Sequence, residues 1–298
     1  MSAIRYFNRH TGKTEEEAVY GERWLRWAYE TAPGRLALHA LVKRPLFSKL
    51  YGKRMNAPSS RELIAPFVEK FGIEVGEMAT PPEDCANFNE FFFRKLTADA
   101  RPLATEEVIF PCDGRHLGFP CADQVDQVDQ VFVKGQQLDL SRLLGSTELA
   151  KHFAHGPLVI SRLCPVDYHR FHFPAAGTPG DARLINGPLY SVSPIALRRN
   201  LSYLWENKRM VTELATESLG TILICEIGAT NVGSIHQTFH PGTLVGKGAE
   251  KGYFSFGGSC MITLFEPGKV QLAEDLLTYT ARGLEHYARF GSALPEPA

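Results

Sequence analysis

One stretch of twenty residues, Gly246–Phe265, restricts the fold more than any other part of the chain. Runs rich in aromatic and β-branched residues at its two ends predict two strands. Gly257-Gly258-Ser259 between them predicts a turn, because a glycine pair reaches backbone angles closed to other residues. Such a turn is typical of a β-hairpin in which Ser259 only caps a backbone group. The same turn places the Ser259 hydroxyl beside the Gly258 carbonyl, which it could attack.

The predicted secondary structure of the rest of the chain changes near residue 100. Helix signals dominate before it: Thr14 and Glu17 form a possible capping box, and a helix through Trp24 and Ala28 follows. After it, short apolar runs alternate with Gly, Pro and Asp turns, which indicates strands. We therefore predict an α+β fold with a helical region (residues 1–100) followed by a β-rich domain (residues 101–298).

Composition excludes several classes of protein. Lys plus Arg is 32 and Asp plus Glu is 33, so the net charge of −1 gives no indication of nucleic-acid binding. The six cysteines include no Cys-x-x-Cys pair, which argues against a zinc knuckle or a disulfide scaffold and predicts a reducing compartment. We expect no signal peptide, and no apolar run approaches the roughly 20 residues of a membrane span.

One basic segment, Arg35–Arg54, combines Leu, Val, Phe and Tyr with six Lys or Arg and has no acidic residue. Such a segment can lie in a bilayer interface, with its apolar side chains down and its cations toward anionic headgroups. It can equally form a helix pair that packs on the core and exposes a basic face. The sequence leaves both interpretations open.

Three polar side chains could act together with Ser259. Asp113 follows an apolar run, where a carboxylate often ends a strand, although an Asp-Gly turn explains it equally well. His169 and His172 are three residues apart and could move protons near neutral pH. They can face one site only if the backbone there turns or bulges; otherwise one is in the core and one on the surface. Asp113, His172 and Ser259 could form a triad, although no Gly-x-Ser-x-Gly elbow is present.

Five segments of the chain carry recognisable motifs: Phe88–Leu96, Pro111–Gly114, Asp167–His172, Gly228–Ile235 and Lys247–Ser259. No single motif would be specific, but together they extend over nearly the whole chain. In these motifs and in their order, the chain resembles the phosphatidylserine decarboxylase proenzymes.

This resemblance implies a barrel-like catalytic domain and cleavage of the chain by itself between Gly258 and Ser259. The products would be a β chain of residues 1–258 and an α chain of residues 259–298. Ser259 would become a covalent pyruvoyl cofactor, with neither pyridoxal phosphate nor a metal. Asp113, His172 and Ser259 match the family's self-cleavage triad, and His169 matches the histidine assigned to decarboxylation.

The resemblance also implies a substrate and partners. The enzyme would convert phosphatidylserine in membranes to phosphatidylethanolamine and CO2, as a step of phospholipid biosynthesis. Its β and α chains would remain together as a heterodimer, which could dimerise further. We expect a peripheral protein on the cytoplasmic side of the cell membrane, docked through Arg35–Arg54.

One residue departs from the family pattern. Cys260 stands where the family often has Ser or Thr, and a thiol there could attack the Ser259 carbonyl and move the cut by one residue. Three other functions remain open on the residues alone. They are a pyruvoyl-dependent amino-acid decarboxylase, a serine hydrolase that uses Ser259, and a non-enzymatic β-rich module.

Overall fold

A computed structural model describes residues 3–127, 136–230, 234–257 and 259–295. The α-helices of these parts are α1 (Glu22–Glu30), α2 (Ala32–Ala37), α3 (Pro45–Asn56), α4 (Ile64–Phe71), α5 (Phe88–Phe92), α6 (Leu140–Leu144), α7 (Thr147–Phe153), α8 (Pro194–Leu197), α9 (Tyr203–Glu206) and α10 (Glu274–Ala281). The strands are β1 (Arg5–Asn8), β2 (Lys13–Glu16), β3 (Gly114–Phe119), β4 (Leu158–Leu163), β5 (Arg170–His172), β6 (Thr178–Pro179), β7 (Arg183–Ile185), β8 (Arg209–Ala215), β9 (Thr221–Gly228), β10 (Ile235–Gln237), β11 (Glu250–Phe254), β12 (Ser259–Phe265) and β13 (Glu285–Ala288).

A sheet of ten strands dominates the described structure. Its order is β2-β1-β13-β3-β4-β12-β9-β8-β6, with β7 also paired to β8. Every pairing is antiparallel except that of β1 with β13. Helices and a mostly antiparallel sheet therefore occur together, as the α+β prediction requires.

The sheet does not close, so the expected barrel-like closure is wrong. Its outermost strands, β2 and β6, do not pair with each other. Strand β2 reads Lys-Thr-Glu-Glu and is largely exposed, and charged side chains of this kind protect a free edge. Strand β6 has only two residues, and Pro179 in it has no backbone N–H to donate. A charged edge strand at one end and a two-residue edge strand with a proline at the other both disfavour closure.

The glycine turn connects two different sheets. Strand β11 pairs with β10 and β5 in a separate three-stranded sheet, whereas β12 pairs with β4 and β9 in the large one. Both predicted strands are therefore confirmed, but the hairpin interpretation is wrong. The segment that contains Gly257 instead passes from one sheet to the other.

The N-terminal region begins with the paired strands β1 and β2, followed by α1, α2 and α3. The predicted capping box is wrong, because Thr14 lies within β2 and α1 begins only after Gly21, without a side-chain cap. Strand pairing takes precedence there over the local capping signal. Arg35–Arg54 forms the end of α2, a π-helical turn and most of α3. Within the described ranges, every helix is too short or too polar to cross a bilayer.

Strand β12 lies at the centre of the core and is buried along its whole length. Its side chains alternate between two hydrophobic clusters. Cys260, Ile262 and Leu264 belong to the first, and Met261 and Phe265 belong to the second. Two-residue alternation with both faces apolar is what a central strand requires.

A buried polar group joins the two sheets. Lys251 on β11 and Glu226 on β9 are both fully buried, and Lys251 Nζ lies 2.8 Å from Glu226 Oε1. Lys251 also donates to Gln237 Oε1 on β10 at 2.9 Å, and Gln237 donates to Glu226 Oε2 at 2.8 Å. Burial lowers the pKa of Lys251 and raises that of Glu226, which reflects the cost of holding the two charges there.

Removing one partner of this group is expected to destabilise the protein strongly. Lys251→Met leaves the Glu226 carboxylate buried without its cation, which costs about 3–5 kcal/mol in comparable pairs. The double variant Lys251→Met/Glu226→Leu is expected to recover most of that loss, because no charge then remains buried. The midpoint of urea unfolding measures both, with the exposed Lys269→Met as control. A loss below about 1 kcal/mol for Lys251→Met would contradict the expectation.

Candidate active site

Two predicted site residues, Asp113 and Ser259, lie at one end of four neighbouring strands, β3, β4, β12 and β9, whereas His172 ends β5 of the smaller sheet. Ser259, the first residue of β12, pairs with Leu163 at the end of β4 and with Gly228 at the end of β9. Strand β3 is antiparallel to β4 and begins at the same end, directly after Asp113. Neighbouring strands are about 4.8 Å apart, so the backbones at Asp113 and Ser259 are separated by about 10 Å.

Ser259 has the surroundings of a reactive group rather than of a capping residue. It is fully buried, and its Oγ has no hydrogen-bond partner among the described residues. Gly257 has a φ of 140°, a region that favours glycine, as the sequence predicts. Gly258 lies outside the described residues, so the predicted cleavage bond is described on its serine side only.

The short helix α5 begins where local side-chain bonds cap it. Asn87 Oδ1 accepts a hydrogen bond from Glu90 N at 3.0 Å, and Glu90 Oε2 accepts one from Ala86 N at 2.7 Å. This reciprocal arrangement satisfies backbone donors that a helix start leaves free.

Helix α5 in turn positions the segment before Ser259. Asn89 Oδ1 accepts a hydrogen bond from Phe256 N at 2.7 Å. The Phe92 ring lies 4.8 Å from the Phe256 ring and 3.8 Å from the His169 imidazole, measured between ring centres. The turn, α5 and His169 therefore form one packed unit.

His169 presents a free nitrogen within this unit. It is fully buried, and its Nδ1 lies 2.9 Å from the carbonyl oxygen of Asp167. Because a carbonyl only accepts, we assign the ring proton to Nδ1, which leaves a lone pair on Nε2. Among the described residues Nε2 has no partner. Burial lowers the pKa of His169 to about 3, so the ring is neutral at pH 7.

Both ring nitrogens of His172 are engaged. Nδ1 lies 2.9 Å from the Gly248 carbonyl oxygen, and Nε2 lies 3.2 Å from the Tyr168 hydroxyl. The ring stacks on Phe290 at 3.7 Å between ring centres. Burial lowers the pKa of His172 to about 4, so this imidazole too is neutral at pH 7.

Asp113 is buried but bonds to other groups than the predicted histidine. Arg101 donates to its carboxylate, with a shortest distance of 2.7 Å, and Phe290 N donates to Oδ1 at 2.8 Å. No hydrogen bond joins Asp113 to His172, both of which are described. Instead, both contact Phe290, and the charge of Asp113 raises the pKa of His172 against the effect of burial.

The two histidines lie on different aromatic side chains, His169 on Phe92 and His172 on Phe290. His169 precedes β5, and opposite β5 the register of β11 shifts between Glu250 and Gly252. The bulge predicted for the histidine segment is therefore on the facing strand instead, and both histidines are buried, so the alternative of one in the core and one on the surface is wrong.

Sequence reasoning did not single out Tyr168, Gly248 or Arg101, although each contacts a predicted site residue. Tyr168 and Gly248 lie inside motifs that were recognised as such. Nothing in the sequence could show that the Tyr168 hydroxyl would reach His172 Nε2, because that contact depends on the fold of the whole segment.

The position of Cys260 argues against it as the nucleophile. Its side chain is fully buried in the core cluster on one face of the large sheet. Burial raises the pKa of the thiol, which disfavours the reactive thiolate at neutral pH. Ser259 is thus the better nucleophile of the two.

One group of potential metal ligands occurs within the described ranges. Cys121, Asp123 and His155 offer ligand atoms within 4.8 Å of one another, on the surface. Cys121 and Asp123 follow the end of β3 and His155 precedes the start of β4, whereas Asp113 lies at the opposite end of β3, about 20 Å of strand away.

Comparisons with known proteins point to one family. The sequence profile described as phosphatidylserine decarboxylase matches residues 88–288, which include α5, Asp113, both histidines and Ser259. The chain is 45% identical to the phosphatidylserine decarboxylase proenzyme of Chlamydia muridarum, over 97% of this chain and 96% of that one.

Two further proenzymes of the same name extend the comparison. That of Fusobacterium nucleatum is 43% identical over 95% of this chain and 94% of its own. That of Clostridium botulinum is 40% identical over 98% of each. The chain therefore belongs to the phosphatidylserine decarboxylase family, which is a family of carboxy-lyases.

Proposed function

We propose that the chain is a proenzyme that cuts itself between Gly258 and Ser259 and then decarboxylates phosphatidylserine to phosphatidylethanolamine. The observation that carries this proposal is the state of Ser259. A buried hydroxyl without a partner is costly, and here it follows a glycine turn and begins a strand held on both sides. A hydroxyl that must attack its own preceding peptide needs this freedom and this fixed position.

In the first step, the Ser259 proton passes to a neutral imidazole while Oγ bonds to the Gly258 carbonyl carbon. We assign the base to His172, which Asp113 assists through its charge and the Gly248 carbonyl orients. The Tyr168 hydroxyl is hydrogen-bonded to His172 Nε2, the nitrogen that would accept the proton. This hydroxyl must therefore turn away or relay the proton. The amide thereby becomes an ester and the Ser259 nitrogen is freed.

Loss of the Ser259 α proton then breaks the ester and releases residues 1–258 with a terminal carboxylate. The remaining unsaturated residue takes up water, loses ammonia and becomes the pyruvoyl group. The surroundings of Ser259 suit such a group, since His169 Nε2 in the adjoining packed unit is also without a partner among the described residues.

The pyruvoyl carbonyl would supply an electron sink that joins the substrate amine and accepts the electron pair left by CO2. We assign the proton that replaces CO2 to His169. Its unprotonated Nε2 can take a proton from the substrate ammonium and return it to the carbon.

The two products of cleavage are expected to stay together. Residues 259–298 contribute β12, which pairs along its length with β4 and β9, together with α10 and β13. Withdrawing a central strand would expose the apolar side chains of both core clusters. The β and α chains would thus form a heterodimer without any further link.

We propose that helices α1, α2 and α3 dock the enzyme on membranes. Large apolar side chains protrude from all three, with Trp24 and Leu36 each 73%, Leu46 66% and Leu50 59% exposed. The segment Arg35–Arg54, which includes most of α3, also contains six Lys or Arg and no acidic residue. The inner side of α3 leads to the site, because its Tyr51 ring stacks on Phe256 at 5.7 Å.

Reversing four charges in this segment is expected to weaken binding to vesicles that contain anionic lipid by at least about thirtyfold. Each cation near such a surface contributes about 1 kcal/mol. Vesicle sedimentation at physiological salt measures the change, for a variant with Glu at Lys43, Arg44, Lys49 and Lys53.

A matched variant tests whether position rather than net charge matters. It carries Glu at four exposed cations elsewhere, namely Lys13, Lys151, Lys269 and Arg282. We expect the affinity of this variant for the vesicles to fall by less than about fivefold. Equal losses for the two variants would count against docking through this segment.

The activity itself is tested by release of CO2 from phosphatidylserine vesicles and from free serine. The proposal predicts release from the lipid only. Release from free serine would instead indicate an amino-acid decarboxylase, and labelling of an uncut chain by a fluorophosphonate would indicate a serine hydrolase.

A further inference from the structure

A polar cavity of about 320 Å³ opens beside the candidate site. Asp113 and Tyr168 line it, together with the end of α4 and residues of β1. Its lining contains four arginines and four carboxylates, Asp113 among them. A volume of this order accommodates a small polar molecule.

Two of these arginines are neutralised by carboxylates close to the site. Arg101 pairs with Glu77 at 2.8 Å and with Asp113 at 2.7 Å. Arg115 pairs with Asp167 at 2.5 Å and with Glu17 at 3.3 Å. These guanidinium groups are held by the protein itself.

The third arginine, Arg289, likewise lies 3.1 Å from Glu77 and 3.6 Å from Glu74. Arg94 differs from all three, since it forms no ion pair with any carboxylate in the described ranges. Its Nη2 donates to the carbonyl oxygens of Val166 and Asp167 at 3.2 and 3.3 Å.

Arg94 is only 8% exposed, and its Nη1 has no hydrogen-bond partner within the described parts of the chain. A guanidinium keeps its charge even when buried, although burial lowers its pKa. A buried cation with a free N–H and no counter-ion is strongly unfavourable, so such a group calls for an anion from outside the chain.

The position of Arg94 connects the cavity to the proposed chemistry. It follows α5, whose Phe92 ring lies on His169, and its charge is one of the causes that lower the pKa of His169. The charges of Asp113 and Asp167 act on Arg94 in turn. An anion held by Arg94 would therefore lie near His169.

We propose that Arg94 binds the phosphate group of the phospholipid headgroup and so selects phosphatidylserine over free serine; this rests on the function proposed above. A guanidinium fork matches two phosphate oxygens. A substrate without that phosphate leaves Arg94 unpaired, which is the kind of deficit that gives strong discrimination.

The reacting carboxylate is the less suitable partner for Arg94. Its negative charge leaves the carboxyl group as the C–C bond breaks, so a cation bonded to it would stabilise the substrate more than the transition state. The phosphodiester keeps its charge throughout the reaction. Binding it strengthens the complex without opposing the chemical step.

Kinetics with a short-chain, water-soluble phosphatidylserine test this assignment without a membrane. Arg94→Met is expected to raise KM at least thirtyfold and to change kcat less than threefold, because uniform binding is lost. Arg94→Lys keeps the charge without the guanidinium fork, so its KM should lie between those of the wild type and Arg94→Met. Lys95→Met, which removes the exposed neighbouring cation, should match the wild type.

Inhibition by a soluble headgroup adds a second test, with the conservative Arg94→Lys variant compared with the wild type. Glycerophosphoethanolamine, the product headgroup without acyl chains, should compete with substrate, and Arg94→Lys should weaken that inhibition at least tenfold. Inorganic phosphate should compete only weakly. Tight phosphate binding that does not compete with substrate would assign Arg94 to free phosphate and overturn the proposal.

Two other results would overturn it. One is an unchanged KM in Arg94→Met, and the other is a fall in kcat with KM held, which would indicate a role in the chemical step. Assays of the wild type distinguish a failure of this inference from a failure of the proposed function. If the wild type neither cuts itself nor releases CO2, the proposed function is wrong. If it does both and the KM of Arg94→Met equals that of the wild type, only this inference is wrong.

Discussion

Ser259→Ala is expected to leave a single uncut chain without measurable decarboxylation. The variant removes the only atom that the proposed cleavage uses as its nucleophile, and without cleavage no pyruvoyl group forms. The fold should persist, because β12 keeps its pairing with β4 and β9 and loses only a hydroxyl without a partner in the described structure. Electrophoresis under denaturing conditions and CO2 release from phosphatidylserine measure the two effects.

Two neighbouring variants serve as controls for that experiment. Ser255→Ala removes a hydroxyl that contacts His236 at 3.0 Å in the same connection between the sheets, and it should be cut as the wild type is. Cys260→Ala should also be cut at the same bond, since the thiol is held in the core. Continued cleavage of Ser259→Ala, or an uncut Cys260→Ala that is still folded, would make the nucleophile assignment wrong.

His169→Gln is expected to separate the two stages of the proposed mechanism. The chain should still be cut, because the first proton transfer is assigned to His172. Its rate of decarboxylation should fall by about 10²–10⁴-fold, the usual contribution of a positioned proton donor. Single-turnover release of CO2, measured on protein whose cleavage has been verified by mass, gives this rate.

His236→Gln is the matched control, since that histidine is exposed and stacks on Tyr253 rather than on a site residue. It should retain full activity. A His169→Gln protein that decarboxylates normally would remove His169 from the chemistry. One that folds but is not cut would assign it to the first stage instead, where its free Nε2 makes it a candidate.

The local parts of the fold could be predicted from the sequence. Both strands around the glycine turn are present, and Gly257 has the unusual φ that its residue type suggested. Pairing could not be predicted, because two strands joined by a short turn look alike whether they pair with each other or enter different sheets. The capping signal at Thr14 failed for a related reason: the pairing of β1 with β2 outweighs a local preference.

In the candidate site, too, local features could be predicted from the sequence and long-range contacts could not. Its residue types and motifs could be read from the sequence, and the structure brings Asp113 and Ser259 to one end of the sheet. The contacts could not be read. The Tyr168 hydroxyl on His172 and the unpaired guanidinium of Arg94 both depend on which distant segments the fold places beside them.

The most direct test of the whole account is an intact mass spectrum of the purified protein. We expect two chains, with fragment 259–298 lighter by one ammonia than the same peptide beginning with serine. That single difference in mass would establish the position of the cut and the conversion of Ser259 together. A cut after Ser259, or one chain that remains whole after incubation with phosphatidylserine vesicles, would contradict the account.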